Sequence, residues 1–147
     1  MILELPDLAA VGMLGSRIAA ALGPGDVVAL SGALGTGKTT LARAIIAALG
    51  YAGEVPSPTF TIVETYAPPT LRLPVVHADF YRLERAAEAA ELGLDDYRDG
   101  AALIAEWPEH VGGFANEAGC LSIALENAGN GRRAIVEPGA GWQGRWP

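Results

Sequence analysis

Gly32-Ala33-Leu34-Gly35-Thr36-Gly37-Lys38-Thr39 follows the continuous apolar run Val27-Val28-Ala29-Leu30 and precedes a stretch in which Leu41, Ile45 and Leu49 recur at helical spacing up to Gly50. The apolar run reads as a strand buried on both faces of a parallel sheet, and the later stretch as a helix that closes at glycine. Between them the glycines let the backbone turn sharply and present successive N–H groups with no side chain in the way. The positive end of the helix that begins at Lys38 points at the same place. Lys38 can reach round an anion, and the Thr39 hydroxyl can ligate a hard cation. These features converge on a phosphate chain with magnesium, so the stretch reads as a P-loop for ATP or a close analogue. The expected nucleotide contacts are Gly32, Leu34, Gly35, Thr36, Gly37, Lys38, Thr39 and Thr40.

Residue usage supports that reading. Of the ten Lys and Arg residues in the chain, only Lys38 is a lysine. Arg serves solubility and bidentate ion pairs, whereas a compact ammonium on a flexible stem is what a phosphate chain needs. Lys38 is therefore expected to be functional, and as a solvent-exposed loop charge its removal should spare the fold.

Magnesium phosphoryl chemistry also needs carboxylates at neighbouring strand ends. Asp79 ends Val75-Val76-His77-Ala78 and Glu106 ends Ala102-Leu103-Ile104-Ala105, which puts both acids at the carboxyl edge of the sheet. Asp79 is expected to hold the metal, directly or through water. Glu106 is expected to position or activate the attacking water, or to share the metal. A strand-end acid can also serve only to cap a neighbouring helix. Ser57 and Thr59 flank Pro58 in a polar loop that fits either a γ-phosphate switch or an ordinary turn. His77, in an apolar strand, reads as a hydrogen-bonded core histidine, and Trp107 as a packing residue. Arg82 and Arg132 can neutralise phosphate charge or form surface ion pairs.

Outside the loop, Asp7 can cap a helix carrying Leu8, Val11, Leu14, Ile18 and Leu22 inward until Gly23-Pro24-Gly25. Residues 59–66 alternate as a strand, in a hairpin with 73–78 across Pro68-Pro69. Helical patterning resumes at 84–94, strands are expected at 101–105 and 121–125, and 127–131 is a turn into Ala134-Ile135-Val136. The expected fold is α/β: a single-domain, Rossmann-like P-loop NTPase with a mixed, mainly parallel central sheet between helices. The domain spans 1–138, and 139–147 is a glycine-rich tail with Trp142 and Trp146 that can dock or fray.

With 147 residues, half of them hydrophobic, the chain can bury one proper core. A formal charge of −7 argues against a free-standing nucleic-acid binder, since backbone affinity comes from clustered Lys and Arg. Cys120 has no partner for an internal disulfide, and no apolar run approaches the roughly twenty residues of a membrane span. The acidic beginning, with Glu4 and Asp7, is unlike a secretory signal, so the cytoplasm is the expected address and no membrane partner is expected.

The motif order resembles the TsaE (YjeE) family, the bacterial P-loop ATPases of tRNA threonylcarbamoyladenosine (t6A) biosynthesis. The resemblance rests on the P-loop with Thr40, on Ser57-Pro58-Thr59-Phe60-Thr61-Ile62-Val63-Glu64, on His77-Ala78-Asp79-Phe80-Tyr81-Arg82-Leu83, and on Glu106-Trp107-Pro108. It implies ATP and ADP binding, Mg²⁺ held at Thr39, Asp79 and Glu106, and slow hydrolysis that cycles a TsaD–TsaB complex. That complex modifies adenosine 37 of tRNA, so tRNA is reached indirectly. Gly131-Arg132 resembles a late family position near the nucleotide. Family loops usually read Gly-Asp-Leu-Gly-Ala-Gly-Lys-Thr, whereas this chain has Ala33 and Thr36. A guanine-reading Asn-Lys-x-Asp loop is impossible with one lysine. A P-loop small-molecule kinase fits the size and core, although no arginine-rich lid is evident; it and a nucleotide-responsive assembly module without useful turnover are the alternatives.

Overall fold

A computed structural model of the chain describes residues 1–58 and 62–146. Seven strands form one sheet: β1 (Ile2–Leu5), β2 (Val27–Ser31), β3 (Val63–Tyr66), β4 (Val75–Asp79), β5 (Ala102–Glu106), β6 (Cys120–Ala128) and β7 (Gly131–Pro138), in the order β1-β7-β6-β2-β5-β4-β3. β6, β2, β5 and β4 run parallel, while β3 and β7 are antiparallel to their neighbours β4 and β6. The sheet is thus mixed and mainly parallel, as the apolar runs implied.

Period-two alternation divides the core into two layers. Val28, Leu30, Val75, Ala102 and Ile104 pack with α1 (Leu8–Ala21) and α2 (Lys38–Ala48). Val27, Ala29, Val76, Ala78, Leu103 and Ala105 face the other way, against residues of α3 (Ala86–Glu91) and α4 (Leu94–Arg98). The α1 and α2 helices approach closely at Gly15, where a Cβ would lie 2.7 Å from that of Ala44. Asp7 caps α1 as expected, accepting from the Ala10 N–H at 2.9 Å. Leu8 departs from expectation and is exposed, because it opens the helix ahead of the stripe formed by Val11, Leu14 and Ile18.

Other boundaries move for local reasons. The expected helix over 84–94 is α3 alone, closed before Gly93 takes a left-handed φ of 77°, and α4 follows from Leu94 to Arg98. Of the strand expected over 59–66, residues 59–61 lie outside the described residues, and β3 begins after Ile62, whose φ is 69°. The expected turn at 127–131 shrinks to Gly129-Asn130: β6 runs through Ala128, which pairs with Gly131. A φ of 59° at Gly129 suits the first turn position of a tight hairpin. The segment Ile2–Leu5, unassigned from sequence, pairs with β7, and Glu4 faces Arg133.

The tail docks as far as it is described. Trp142 is fully buried and donates its indole N–H to the Gly119 carbonyl at 2.7 Å. Arg145 grips Asp26 through both carboxylate oxygens, at 2.7 and 3.0 Å. Among the described residues no helix is long and apolar enough to cross a membrane.

Candidate nucleotide site

β2 delivers the chain into the glycine loop, and α2 leaves it. Gly32, Gly35 and Gly37 all have left-handed φ values, and a Cβ on Gly32 would lie 2.3 Å from the Leu125 carbonyl oxygen. Those positions therefore require glycine. Lys38 is not the exposed charge expected from sequence: it is 6% exposed. Its ammonium donates to the carbonyls of Gly32 at 2.7 Å and Ala33 at 2.8 Å, and stands 4.3 Å from the centre of the Trp107 ring. Burial pushes its pKa below the ordinary value, while Glu106, Asp79 and Glu109 pull it back up.

Of the two departures from the usual family loop, Thr36 makes a side-chain bond, while Ala33 contributes only its backbone carbonyl. Buried Thr36 donates its hydroxyl to the Ala33 carbonyl at 2.8 Å, an extra tie across the loop that alanine cannot supply.

Alternation places the polar groups. Val75 and Ile104 face α1 and α2, so two-residue steps put His77, Asp79 and Glu106 on that same face at the carboxyl end of the sheet. Asp79 and Glu106 are direct neighbours in the β4–β5 register, 5% and 2% exposed. Because β5 lies beside β2, Glu106 meets the first turn of α2, where the Thr39 hydroxyl donates to Oε1 at 2.7 Å. Asp79 lies one strand farther out and accepts from the Tyr81 N–H at 2.9 Å. His77 is buried beside Glu106, with Nε2 2.7 Å from Oε2.

A cavity of about 300 Å³ is lined by Leu34, Gly35, Gly37, Lys38, Thr39, Thr40, Asp79, Glu106, Trp107 and Arg132. Most of the residues singled out in the sequence thus come together. Arg132 reaches the loop from β7, donating to the Gly35 carbonyl at 3.2 Å. Thr36 lines a second cavity of about 190 Å³ with Leu5, Leu8, Val11, Leu41, Leu125 and Asn130, and the two cavities share Gly37, Thr40 and Arg132. Ser57 sits in an exposed loop and lines neither cavity, Arg82 is exposed, and Thr59 lies outside the described residues.

Sequence reading missed the second cavity, because its walls come from β1, α1 and the β6–β7 turn, which no local pattern connects. It also missed Trp107 over Lys38. Here the signal was adjacency to Glu106, and the left-handed φ of 55° that turns the ring back over the loop is visible only in three dimensions.

Among the described residues no three His, Cys, Asp or Glu form a metal cluster. Mg²⁺ in a phosphate site needs few protein ligands, because substrate oxygens and water supply the rest. The hard oxygens of Thr39, Glu106 and Asp79 beside an open cavity fit that requirement.

The family model described as threonylcarbamoyl adenosine biosynthesis protein TsaE matches residues 5–135. The tRNA threonylcarbamoyladenosine biosynthesis protein TsaE of Bacillus subtilis is 39% identical over 114 residues, 77% of this chain and 69% of that one. Its Streptomyces coelicolor counterpart is 43% identical over 97 residues, 65% of this chain and 66% of that one. The crystal structure of YdiB from Bacillus subtilis superposes with a TM-score of 0.72 at 27% identity, covering 99% of this chain and 90% of that chain. Since the match runs from the end of β1 through the loop, Asp79 and Glu106 into β7, the chain belongs to the TsaE family of threonylcarbamoyl adenosine biosynthesis proteins.

Proposed function

We propose that this protein is the magnesium-dependent ATPase of the machinery that forms t6A at position 37 of tRNA, and that ATP binding and slow hydrolysis cycle a TsaD–TsaB complex between states. The observation that carries the reading is the convergence of Lys38, Thr39, Asp79 and Glu106 on one cavity at the mouth of a glycine loop. The family membership of the chain directs that chemistry to t6A formation.

In this reading Lys38 exchanges the Gly32 and Ala33 carbonyls for β- and γ-phosphate oxygens, and the loop N–H groups and the start of α2 carry the remaining phosphate charge. The base enters the adjoining cavity, whose walls include Leu5, Leu8, Val11, Leu41 and Leu125. The two cavities together fall in the size range of small-molecule sites. Arg132, shared by both, lies where the phosphates join the nucleoside. Thr39, Glu106 and Asp79 would hold Mg²⁺, which neutralises charge on the transferred phosphoryl group. Glu106 can keep its hydrogen bond from Thr39 while that hydroxyl oxygen ligates the metal, because the bond uses the proton and the ligand uses a lone pair. The protein supplies nucleotide-driven switching, and the transfer of the threonylcarbamoyl group belongs to the partner complex.

Titration calorimetry with Mg·ATP tests the site, and unchanged binding by Lys38→Ala would refute it. The cellular role is tested by measuring t6A in tRNA after depletion and complementation. Normal t6A in depleted cells rejects the pathway reading. Full rescue by a Glu106→Ala protein that binds ATP without hydrolysing it would make the protein an assembly module.

A further inference from the structure

His77 is fully buried, and among the described residues only one of its ring nitrogens has a partner. Nε2 lies 2.7 Å from Glu106 Oε2, whereas Nδ1 has no partner among the described residues. Leaving a buried ring nitrogen unpaired is unfavourable, and an apolar residue of similar volume would fill the same space without that penalty. The pairing with Glu106 is the compensating contact.

The geometry also selects the tautomer. A carboxylate offers only lone pairs, so the 2.7 Å contact with Glu106 calls for the proton on Nε2. The opposite tautomer would set a lone pair against a carboxylate oxygen.

The two oxygens of Glu106 are therefore held from opposite sides: Oε1 by Thr39 at the cavity and Oε2 by His77 in the core. Rotation about the terminal bond of a Glu side chain is soft, so a single hydrogen bond would leave the carboxylate plane poorly defined. We propose that His77 is a positioning residue. Through Nε2–H it fixes the Glu106 carboxylate so that one oxygen stays turned toward Thr39 and the nucleotide cavity. The inference rests on the nucleotide reading of that cavity. It assigns to His77 a role beyond packing, acting wholly through Glu106. Outer-sphere partners of this kind commonly change metal affinity or activity by about 10- to 100-fold when removed.

Two substitutions separate positioning from packing. The amide nitrogen of Gln reaches about as far as Nε2 of histidine, and that of Asn about as far as Nδ1. His77→Gln should therefore keep the donor to Glu106, and His77→Asn should lose it, although both remove the ring. The half-saturating Mg²⁺ concentration is read from the rise in melting temperature on adding Mg·ATP, and kcat and KM from steady-state hydrolysis. For His77→Asn we expect a rise of about tenfold in that concentration, or a fall of about tenfold in kcat, with KM for ATP within about threefold of wild type. His77→Gln should return both to within about threefold. Long-range ¹⁵N spectra of the metal-free wild type should show His77 protonated at Nε2, a readout that needs no variant to fold.

A purely structural role predicts that Asn and Gln lower the melting temperature alike and leave magnesium dependence and kcat at wild-type values. That result overturns the inference, as does a His77 protonated only at Nδ1. A wild-type protein whose ATP response ignores magnesium overturns the nucleotide reading and this inference with it. A magnesium-dependent wild type matched by His77→Asn overturns this inference alone.

Discussion

Two buried carboxylates sit at opposite ends of the central strands, and their surroundings differ. Asp26, just before β2, is 6% exposed and closed off: Arg145 grips both its oxygens, and the Gly23 N–H donates to Oδ2 at 2.8 Å. Glu106, at the far end of β5, is 2% exposed, and its direct donors are the neutral Thr39 hydroxyl and the His77 ring. One carboxylate is neutralised by a fixed cation that cannot leave without exposing Trp142, over which the Arg145 guanidinium stacks at 4.4 Å. The other faces a cavity with Lys38 across it. A buried acid matched by a bidentate Arg is a structural clasp, whereas one held by a hydroxyl and an imidazole beside open space is poised for an incoming ligand.

That contrast can be broken or sharpened by substitution. The largest effect should come from the clasp end. Trp142→Ala removes a fully buried ring and should cost about 3–5 kcal/mol, read as a lower denaturation midpoint, with Mg·ATP affinity per folded molecule unchanged. If affinity falls in step with stability, the two ends are not independent.

Lys38→Ala should lower Mg·ATP affinity by about 100-fold, equivalent to about 2.7 kcal/mol, in a chain that still unfolds cooperatively by circular dichroism. Because Lys38 is buried and bonded to two loop carbonyls, a modest loss of stability should accompany it, unlike the removal of an exposed charge.

The neutral isosteres compare the acids directly. Asp26→Asn should cost about 1–2 kcal/mol in stability and leave hydrolysis intact, since it weakens a charge-assisted pair. Glu106→Gln should cost less than about 1 kcal/mol yet lower kcat by at least about tenfold, because its shape and part of its hydrogen bonding survive while the charge beside Thr39 does not. Matching behaviour of the two variants in both assays would remove the distinction between clasp and site.

The smallest effect concerns pH. Burial lowers the native pKa of Lys38 below its ordinary 10.5, so between the two values the unfolded chain binds more protons than the native one. Over that interval the Lys38 contribution to stability grows as pH rises. Nucleotide binding should behave oppositely, because phosphate requires the ammonium. Mg·ATP affinity should be flat below the native pKa and decline by a few-fold above it, before 10.5 is reached. In Lys38→Ala the residual affinity should lack this decline.

Much of this site was legible from local sequence. Asp79 and Glu106 were recognisable as acids ending apolar runs, and a parallel sheet collects strand ends of that kind at one edge. Their division of labour was not legible. The expectation gave Asp79 the metal and Glu106 the attacking water or a share of the metal, and which acid meets the first turn of α2 depends on strand order, a non-local property. With β5 rather than β4 beside β2, it is Glu106 that bonds Thr39. His77 read correctly as a hydrogen-bonded core residue, but its partner lies 29 residues away on another strand. The pairing of β1 with β7 was unreadable for the same reason, since four residues at an edge carry too short a pattern to name a partner at the other end of the chain.

The sequence alone determined the glycine loop, the helix that springs from it and the lysine within it, because each depends on neighbours a few residues apart: φ freedom at glycine, helical spacing, and the chain's single use of Lys. The tertiary structure decided how deeply that lysine is buried, which acid bonds Thr39 beside it, and how the tail holds Asp26. Those depend on strand order and on contacts such as Arg145 with Asp26 across 119 residues, and chain entropy leaves such contacts unspecified until the whole sheet assembles.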